Sequence, residues 1–195
     1  MRLKRYYLFH KPYKVLCQFT SEGTSKTTLS HFLDVPADVY PLGRLDEDSE
    51  GLLLLSSERS LMKPYSEKGT EKEYWVQVEG MPKKEDLEAL TRGIQLNIKG
   101  KPQVLRAKFA GIFEEARPKV AERDPPIRQR QHIPDCWLKI VLNEGKNRQI
   151  RRMTAAIGFP TLRLIRVRIG KISLAGLGLG EFMETDRNHF LKALG

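Results

Sequence analysis

Four consecutive leucines at positions 52–55 place the strongest constraint on how this chain folds. The run is bounded by Gly51 and Ser57 and shows no polar alternation, which predicts a β-strand over residues 52–56 that is buried on both faces. Directly before it, residues 41–51 read Pro-Leu-Gly-Arg-Leu-Asp-Glu-Asp-Ser-Glu-Gly. We therefore expect a tight turn rich in carboxylates that leads straight into a core strand.

The negative charge of this turn contrasts with the rest of the chain, which carries 34 Lys and Arg against 24 Asp and Glu, a formal net charge of +10. Between residues 41 and 60, two arginines stand against five carboxylates, so the segment has a charge of −3. Carboxylates held here would oppose the binding of a polyanion. A reactive carboxylate is one reason for keeping them.

Positive charge is concentrated in residues 139–171, which hold nine Lys or Arg and one acid, Glu144, a net charge of +8. This nearly equals the excess of the whole chain and predicts a single basic surface. Nucleic acid fits such a surface best, since no basic amphipathic helix with a large apolar face suggests a membrane. We therefore expect a nucleic-acid partner and no membrane partner.

The chain has 195 residues, of which 40% are hydrophobic and 30% charged, so it is long enough to bury one or two cores and lacks the composition of a disordered protein. It has no apolar run of about 18 residues and no signal peptide, which favours the cytoplasm. Cys17 and Cys136 lie in unlike contexts, so we expect neither a disulfide framework nor a zinc site.

Hydrophobic periodicity predicts an α+β fold, with a mostly antiparallel mixed sheet flanked by helices. The predicted strands cover residues 5–19 with a break at Lys11-Pro12, 52–56, 73–79, 104–113, 137–142 and 161–169. The predicted helices cover residues 27–33, 83–92 and 147–158. Residues 114–134, with several prolines and arginines, are predicted to form a long surface loop with a function of its own.

Several common catalytic motifs are missing from the sequence. There is no Gly-x-x-x-x-Gly-Lys-Ser/Thr loop, no His-Glu-x-x-His pair and no Gly-x-Gly-x-x-Gly fingerprint. What remains is Asp46 in a tight turn, Tyr74 at the start of a strand, and a basic Gly-Lys-Asn-Arg turn at residues 145–148. Such residues can supply a carboxylate nucleophile, an aromatic platform for a base, and a cation that keeps the carboxylate ionised.

Three segments resemble the motif regions of the RsuA-type pseudouridine synthases. They are Gly-Arg-Leu-Asp with Ser-Glu-Gly-Leu-Leu in residues 43–53, Lys-Glu-Tyr with Val-Glu-Gly in residues 72–80, and Glu-Gly-Lys-Asn-Arg-Gln-Ile-Arg-Arg-Met in residues 144–153. The order and spacing match that family over nearly the whole chain. Residues 124–128 and 158–166 further resemble members that modify large-subunit ribosomal RNA.

The resemblance implies the pseudouridine synthase fold, with an active-site cleft across the sheet, and an isomerase that converts uridine in RNA to pseudouridine without a cofactor. Asp46 matches the catalytic aspartate that attacks the target nucleotide. Tyr74 matches the tyrosine that packs on the uracil. Lys146 matches the basic position that pairs with the aspartate, with Arg148 as a substitute, and Arg44 matches the arginine beside the nucleophile.

A uridine within a helix must leave the stack to reach a carboxylate, and contacts to the RNA must offset that cost. The residues expected to supply these contacts are Arg44, Arg148, Arg151, Arg152, Arg163 and Arg166. Many relatives carry an RNA-binding S4 domain before the catalytic domain. Here the first strand begins close to Met1, so we expect one catalytic domain over residues 1–195 and no S4 domain. We also expect a monomer whose partner is ribosomal RNA.

Two other classes of protein fit part of the pattern. A non-catalytic RNA-binding protein would have the same basic surface, but it would not need Asp46. A carboxylate-dependent glycoside or nucleoside hydrolase would use paired carboxylates, but it would release free uracil or sugar and bind its substrate with little dependence on salt. Transfer RNA as the target also remains open at this level.

Overall fold

The computed structural model of the protein describes residues 3–21, 23, 25–67, 69–113, 117–127, 130 and 132–194. The chain forms two compact units, of which the first is Met1–Lys72 with Ile165–Gly195 and the second is Glu73–Leu164. Strands of mostly antiparallel pairing with a few helices make up both, which confirms the predicted α+β class. The prediction of one catalytic domain over residues 1–195 stays a prediction.

The sheet of the first unit is built around the leucine strand. Its strands are β1 (Tyr6–Lys11), β2 (Tyr40–Leu42), β3 (Glu50–Ser56), the end of β9 (Thr161–Ile169), β10 (Ile172–Ser173) and β11 (Phe182–Thr185). β1 and β2 pair antiparallel with β3, β11 pairs with the other edge of β1, and β9 joins β3 in parallel at Glu50–Gly51. All four leucines of β3 are 0% exposed, as their unbroken apolar run predicts.

Short helices cover this sheet. They are α1 (Met62–Glu67), α4 (Arg187–Leu191) and two 3-10 turns, Leu29–His31 and Arg59–Leu61. The helix predicted over residues 27–33 is the first of these 3-10 turns. The strand predicted over residues 5–19 ends at Lys11, because Pro12 has no N–H to donate and Lys14 adopts a positive φ of 63°.

The second unit contains β4 (Lys72–Glu79) from Glu73 onward, α2 (Lys84–Arg92), β5 (Ile94–Ile98), β6 (Lys101–Leu105), β7 (Phe109–Ile112), β8 (Asp135–Leu142) and α3 (Gln149–Ala156). β4, β8 and β7 lie side by side in that order, and β5 and β6 form a separate hairpin. The single strand predicted over residues 104–113 is wrong. Lys99 and Gly100 both take positive φ and turn the chain back, so Lys101–Leu105 pairs with β5.

The core of the second unit follows the predicted periodicity. Tyr74, Val76 and Val78 alternate along β4 and are all buried in one apolar cluster. The two helices contribute Leu87 and Leu90 from α2 and Ile150 and Met153 from α3 to the same cluster.

Within the part of the chain that the structure describes, no helix has the length and apolar character needed to cross a bilayer.

Within the first unit, a carboxylate ties α4 to β1. Glu58 accepts hydrogen bonds from Arg187 Nε and Nη2, both at 3.0 Å, and from the Tyr6 hydroxyl. Tyr6 in turn packs against Phe190 of α4, with ring centroids 5.2 Å apart. The Arg187 and Tyr6 hydrogen bonds lower the pKa of Glu58 to about 2. Glu58 therefore stays ionised at all but strongly acidic pH.

Replacing Glu58 with Gln should lower the free energy of unfolding at pH 7 by about 1 kcal/mol, since the ion pair is partly open to solvent. Because the folded pKa of Glu58 lies below the unfolded value, its contribution is complete above about pH 4.5 and is lost as the pH falls towards 2. Urea unfolding from pH 7 to pH 2 should therefore show a flatter acid decline for the variant. Parallel declines would contradict this assignment.

Candidate active site

Asp46 lies in the acidic loop, which we define as residues 43–51 and which runs from the end of β2 into the first two residues of β3. The Asp46 side chain is half-buried, and its main-chain carbonyl oxygen accepts a hydrogen bond from the Ser49 amide at 3.0 Å. Gly43 begins the loop with a φ of 73°, and a Cβ there would lie 2.5 Å from Tyr65 Cε1. The loop therefore turns tightly, and its first residue packs directly on the Tyr65 ring.

The chain after β1 packs along the acidic loop. The Lys14 amide donates to the Glu47 carbonyl oxygen at 2.9 Å, and the Leu45 amide donates to Cys17 Sγ at 3.3 Å. Lys26 Nζ also pairs with the Glu47 carboxylate at 2.7 Å. These contacts fix the residues on both sides of Asp46 in the chain. Cys17 is a free cysteine.

Lys11 is a residue near the acidic loop that sequence reasoning missed. Its side chain is fully buried, and its Nζ donates to the carbonyl oxygens of Pro12 and Val15 at 2.8 Å and 2.7 Å. Burial lowers the pKa of Lys11 to about 8, opposed by Cys17 and by the loop carboxylates, first among them Glu50. A lysine that ends an apolar strand just before a proline was the available signal in the sequence.

Tyr74 and Lys146 lie in the second unit. Tyr74 is 8% exposed and belongs to the apolar cluster on β4. Lys146 is exposed, and its Nζ pairs with the Glu144 carboxylate at 3.1 Å and donates to the Val104 carbonyl oxygen at 3.1 Å. Gln149 braces this turn, since its side chain donates to Glu144 at 2.7 Å and accepts from the Lys146 amide at 3.2 Å. Pairing of Lys146 with Asp46 stays a prediction.

The other predicted RNA-binding arginines differ in exposure. Arg44 and Arg148 are exposed, and Arg148 precedes α3 with a positive φ of 50°. Arg151 and Arg152 are half-buried on α3. Arg151 Nη1 donates to the Thr161 carbonyl oxygen at 3.2 Å, and Arg152 Nη2 donates to Asn147 Oδ1 at 3.1 Å. Of these four arginines, Arg44 and Arg148 are thus the most open to solvent.

Arg163 and Arg166, both predicted to bind RNA, are buried in the structure. They are 5% and 2% exposed, and their guanidinium groups donate to the carbonyl oxygens of Ala121 and Leu52 at 2.9 Å and 2.8 Å. A buried guanidinium that bonds the main chain does not present itself to a phosphate in solvent. Three residues apart, Arg163 and Arg166 lie on opposite faces of β9, and both faces are buried at these positions. The cations of residues 139–171 therefore do not all lie on one surface.

Arg163 instead fastens part of the segment predicted to be a long loop over residues 114–134. Residues 114–116, 128, 129 and 131 of that prediction lie outside the described residues, and residues 117–127 have no helix or strand. Two ion pairs attach the start of this segment and the chain that follows it: Arg117 pairs with Asp135 at 2.9 Å, and Arg130 pairs with Glu79 at 3.2 Å. Residues 117–127 are thus held on the second unit by buried and surface arginines.

Replacing Arg163 with Met should loosen residues 117–127, because Met cannot donate to the Ala121 carbonyl oxygen. We expect amide hydrogen exchange across this segment to become about tenfold faster. Mass spectrometry of exchanged peptides measures this directly. Arg163→Lys, which keeps the charge and a donor, is the control and should show a smaller increase. Equal exchange in Arg163→Met and the unchanged protein would rule out the tether.

Among the described residues, no group of three or more His, Cys, Asp or Glu is placed to hold a metal ion. The predicted site residues of the first unit are Arg44, Asp46 and Arg166, and those of the second are Tyr74, Lys146, Arg148, Arg151, Arg152 and Arg163. The predicted cleft across the sheet stays a prediction.

Comparison with known proteins agrees with these features. Residues 5–156 match the family model described as RNA pseudouridylate synthase. The chain is 45% identical over 179 residues to "Ribosomal large subunit pseudouridine synthase E" of Vibrio parahaemolyticus, covering 91% of this chain and 72% of the relative. It is 46% identical over 182 residues to the protein of that name from Xanthomonas campestris pv. campestris, covering 92% and 94%.

A solved structure described as "Crystal structure of pseudouridylate synthase" superimposes with a TM-score of 0.77 at 23% sequence identity, covering 99% of this chain and 75% of the other. At this identity the match concerns the fold alone, and it confirms the predicted pseudouridine synthase fold. The family match spans most of the chain, from β1 to the end of α3. The chain therefore belongs to the RNA pseudouridylate synthase family, whose members are isomerases.

Proposed function

We propose that this pseudouridine synthase isomerises a specific uridine of large-subunit ribosomal RNA to pseudouridine. The observation that carries the proposal is the 45% and 46% identity, over more than nine tenths of the chain, to relatives whose names specify the large ribosomal subunit. The net charge of +10 supports a polyanionic substrate. We propose further that the protein acts as a monomer in the cytoplasm and needs no cofactor.

Asp46 is the proposed nucleophile. Its carboxylate attacks the flipped nucleotide at the ribose C1′ or at the uracil C6, and the glycosidic bond to N1 breaks. The uracil then turns and C5 bonds to C1′. The Asp46 carboxylate leaves, displaced from C1′ as this bond forms or eliminated from C6 after it, while the hydrogen on C5 is lost to solvent and N1 takes up a proton. The position of Asp46 on a loop that is fixed by Ser49, Lys14 and Cys17 supports this role, because a held carboxylate needs little reorganisation before attack.

Tyr74, Lys146 and Arg44 are proposed to assist. Tyr74 offers an aromatic face to the uracil and is a candidate for removing the C5 proton. Lys146 is the proposed cation partner of the nucleophile, with Arg148 as the substitute. Arg44, exposed two residues before Asp46, is proposed to hold the displaced nucleotide. Arg148, Arg151 and Arg152 are proposed to bind phosphates, whereas the buried Arg163 and Arg166 are not retained in that set.

The test is release of tritium from RNA transcribed with uridine labelled at C5, since loss of that hydrogen is obligatory when C5 becomes the glycosidic carbon. Large-subunit, small-subunit and transfer RNA should be compared, with protein and RNA alone in a buffer containing a chelator. We expect release from large-subunit RNA at one site. Release from another RNA only would refute the proposed substrate, and a requirement for added metal would refute the cofactor-free reaction.

Residues 117–127 are proposed to help choose the target uridine. The support is that ion pairs and the buried Arg163 hold this exposed segment in place rather than leaving it a free connection. Arg163→Met, which should loosen the segment, should then increase modification at uridines other than the native site. Mapping of pseudouridines along the whole transcript measures this, and an unchanged pattern would remove the segment from target choice.

A further inference from the structure

Two cations are buried near each other in the first unit, and the proposed chemistry uses neither. Lys72 is 7% exposed, and its Nζ donates to the Thr70 carbonyl oxygen at 2.9 Å. Arg166 is also buried, and it lies close enough to lower the pKa of Lys72, after burial itself, to about 8. We call Lys72 and Arg166 the buried cation pair.

The buried cation pair adjoins both ends of the acidic loop. At the first end, Lys72 Nζ lies 5.1 Å from the centroid of the Tyr65 ring, and a Cβ on Gly43 would lie 2.5 Å from Cε1 of the same ring. At the other end, a Cβ on Gly51 would lie 2.2 Å from the Arg166 carbonyl oxygen. Arg166 Nε donates to the carbonyl oxygen of Leu52, the next residue.

The charge of Lys72 is costly for stability alone. Burial disfavours it, and the positive charge of Arg166 disfavours it further. A methionine at position 72 would fill a similar volume without a buried charge, and such replacements are often neutral or stabilising. A role in stability therefore does not account for Lys72. The loop that it adjoins carries four carboxylates and one arginine, a net charge of −3, which an underlying positive charge attracts.

We propose that Lys72 is a positioning residue for the reaction, whose positive charge, together with Arg166 and through the Tyr65 ring, holds the acidic loop so that Asp46 is aligned for attack. The alignment rests on the proposed role of Asp46 as nucleophile. Lys11, at the end of β1, contributes a further buried positive charge that attracts the loop carboxylates. Among the described residues, the charged groups in and around the loop include Lys11, Lys14, Lys26, Arg44, Asp46, Glu47, Asp48, Glu50, Lys72 and Arg166.

The first measurement needs no catalysis. In Lys72→Met, exchange of the Ser49 amide, which closes the turn on the Asp46 carbonyl oxygen, should become about tenfold faster while the melting temperature stays equal or rises. Lys4→Met, which removes one exposed lysine from the same unit, is the matched control and should change neither. Unchanged Ser49 exchange, or a melting temperature that falls as global exchange rises, would overturn the proposal.

The second measurement is tritium release with saturating RNA. Lys72→Met should lower kcat by about tenfold to a hundredfold with KM within about twofold, and Lys72→Arg should restore kcat. Because Lys72 loses its proton near pH 8 whereas arginine does not, the ratio of kcat for Lys72→Arg to that of the unchanged protein should rise about fivefold from pH 7 to pH 9. Lys11 titrates in both proteins and cancels in this ratio.

A flat ratio, or full activity of Lys72→Met, would overturn the proposed role of Lys72 while leaving the proposed function standing. Absence of tritium release from every RNA by the unchanged protein would instead refute the proposed function. In that case the exchange of the Ser49 amide still decides whether Lys72 holds the acidic loop. The two failures are therefore distinguishable.

Discussion

Replacing Asp46 with Asn is expected to abolish C5 hydrogen release, by at least about 10⁴-fold in kcat. Asn has nearly the same shape as Asp, but its amide oxygen is a poor nucleophile and carries no negative charge. The main-chain turn from Asp46 to Ser49 does not depend on the side chain, so the loop should keep its conformation. Removing one carboxylate from the loop should leave RNA binding as strong as before or slightly stronger.

Tritium release and a filter-binding titration on the same labelled RNA measure both quantities. Glu47→Gln is the matched control, since it neutralises the neighbouring carboxylate, which pairs with Lys26 at the surface. We expect that control to retain activity within about threefold, because a partly exposed ion pair contributes little. Turnover by Asp46→Asn at a rate near that of the control would exclude Asp46 as the nucleophile.

Replacing Gly51 with Ala should lower the free energy of unfolding by about 4 kcal/mol or more, because it combines overpacking with backbone strain. Gly51 has a backbone φ of 109°, which residues other than glycine rarely adopt. An added Cβ would also lie 2.2 Å from the carbonyl oxygen and 2.6 Å from the amide nitrogen of Arg166. Main-chain atoms of β9 cannot move away without breaking the parallel pairing with β3.

Gly176→Ala separates the two causes, because Gly176 has a φ of 81° but no atom within 4 Å of an added Cβ. That control should lose only about 1 kcal/mol, the cost of the unusual φ. Urea unfolding followed by circular dichroism measures both variants. Equal losses for Gly51→Ala and Gly176→Ala would show that β3 and β9 do not approach each other as closely as described.

Local patterns predicted the elements whose environment is uniform along their length. The four leucines of β3 predicted their strand because an unbroken apolar run indicates burial on both faces. The alternation of Tyr74, Val76 and Val78 in β4 and the helix ending at Gly93 could be predicted because each period matches a single buried face. The β5–β6 hairpin was missed because its strands are half-exposed, and their pattern did not reveal the turn at Lys99 and Gly100.

The candidate site divides in the same way. The motif residues Asp46, Tyr74 and Lys146 could be named from the sequence, because their spacing resembles a known family. Lys72 could not, since a lysine is normally exposed and nothing local indicates its burial. Arg163 and Arg166 were assigned to RNA for the same reason, although both bond main-chain oxygens inside the protein. The one local signal for Lys11, its place at the end of an apolar strand before a proline, was missed.

The sequence by itself determined the family, the α+β class, the central leucine strand and the identity of the acidic loop. Only the tertiary structure decided which cations are buried, which of them adjoin that loop, and how the segment after β7 is attached. The physical reason is the sequence separation over which each kind of interaction acts. Periodicity and turn chemistry act between residues close in sequence, whereas Lys72, Tyr65 and Arg166 meet Gly43 and Gly51 through contacts that span much of the chain.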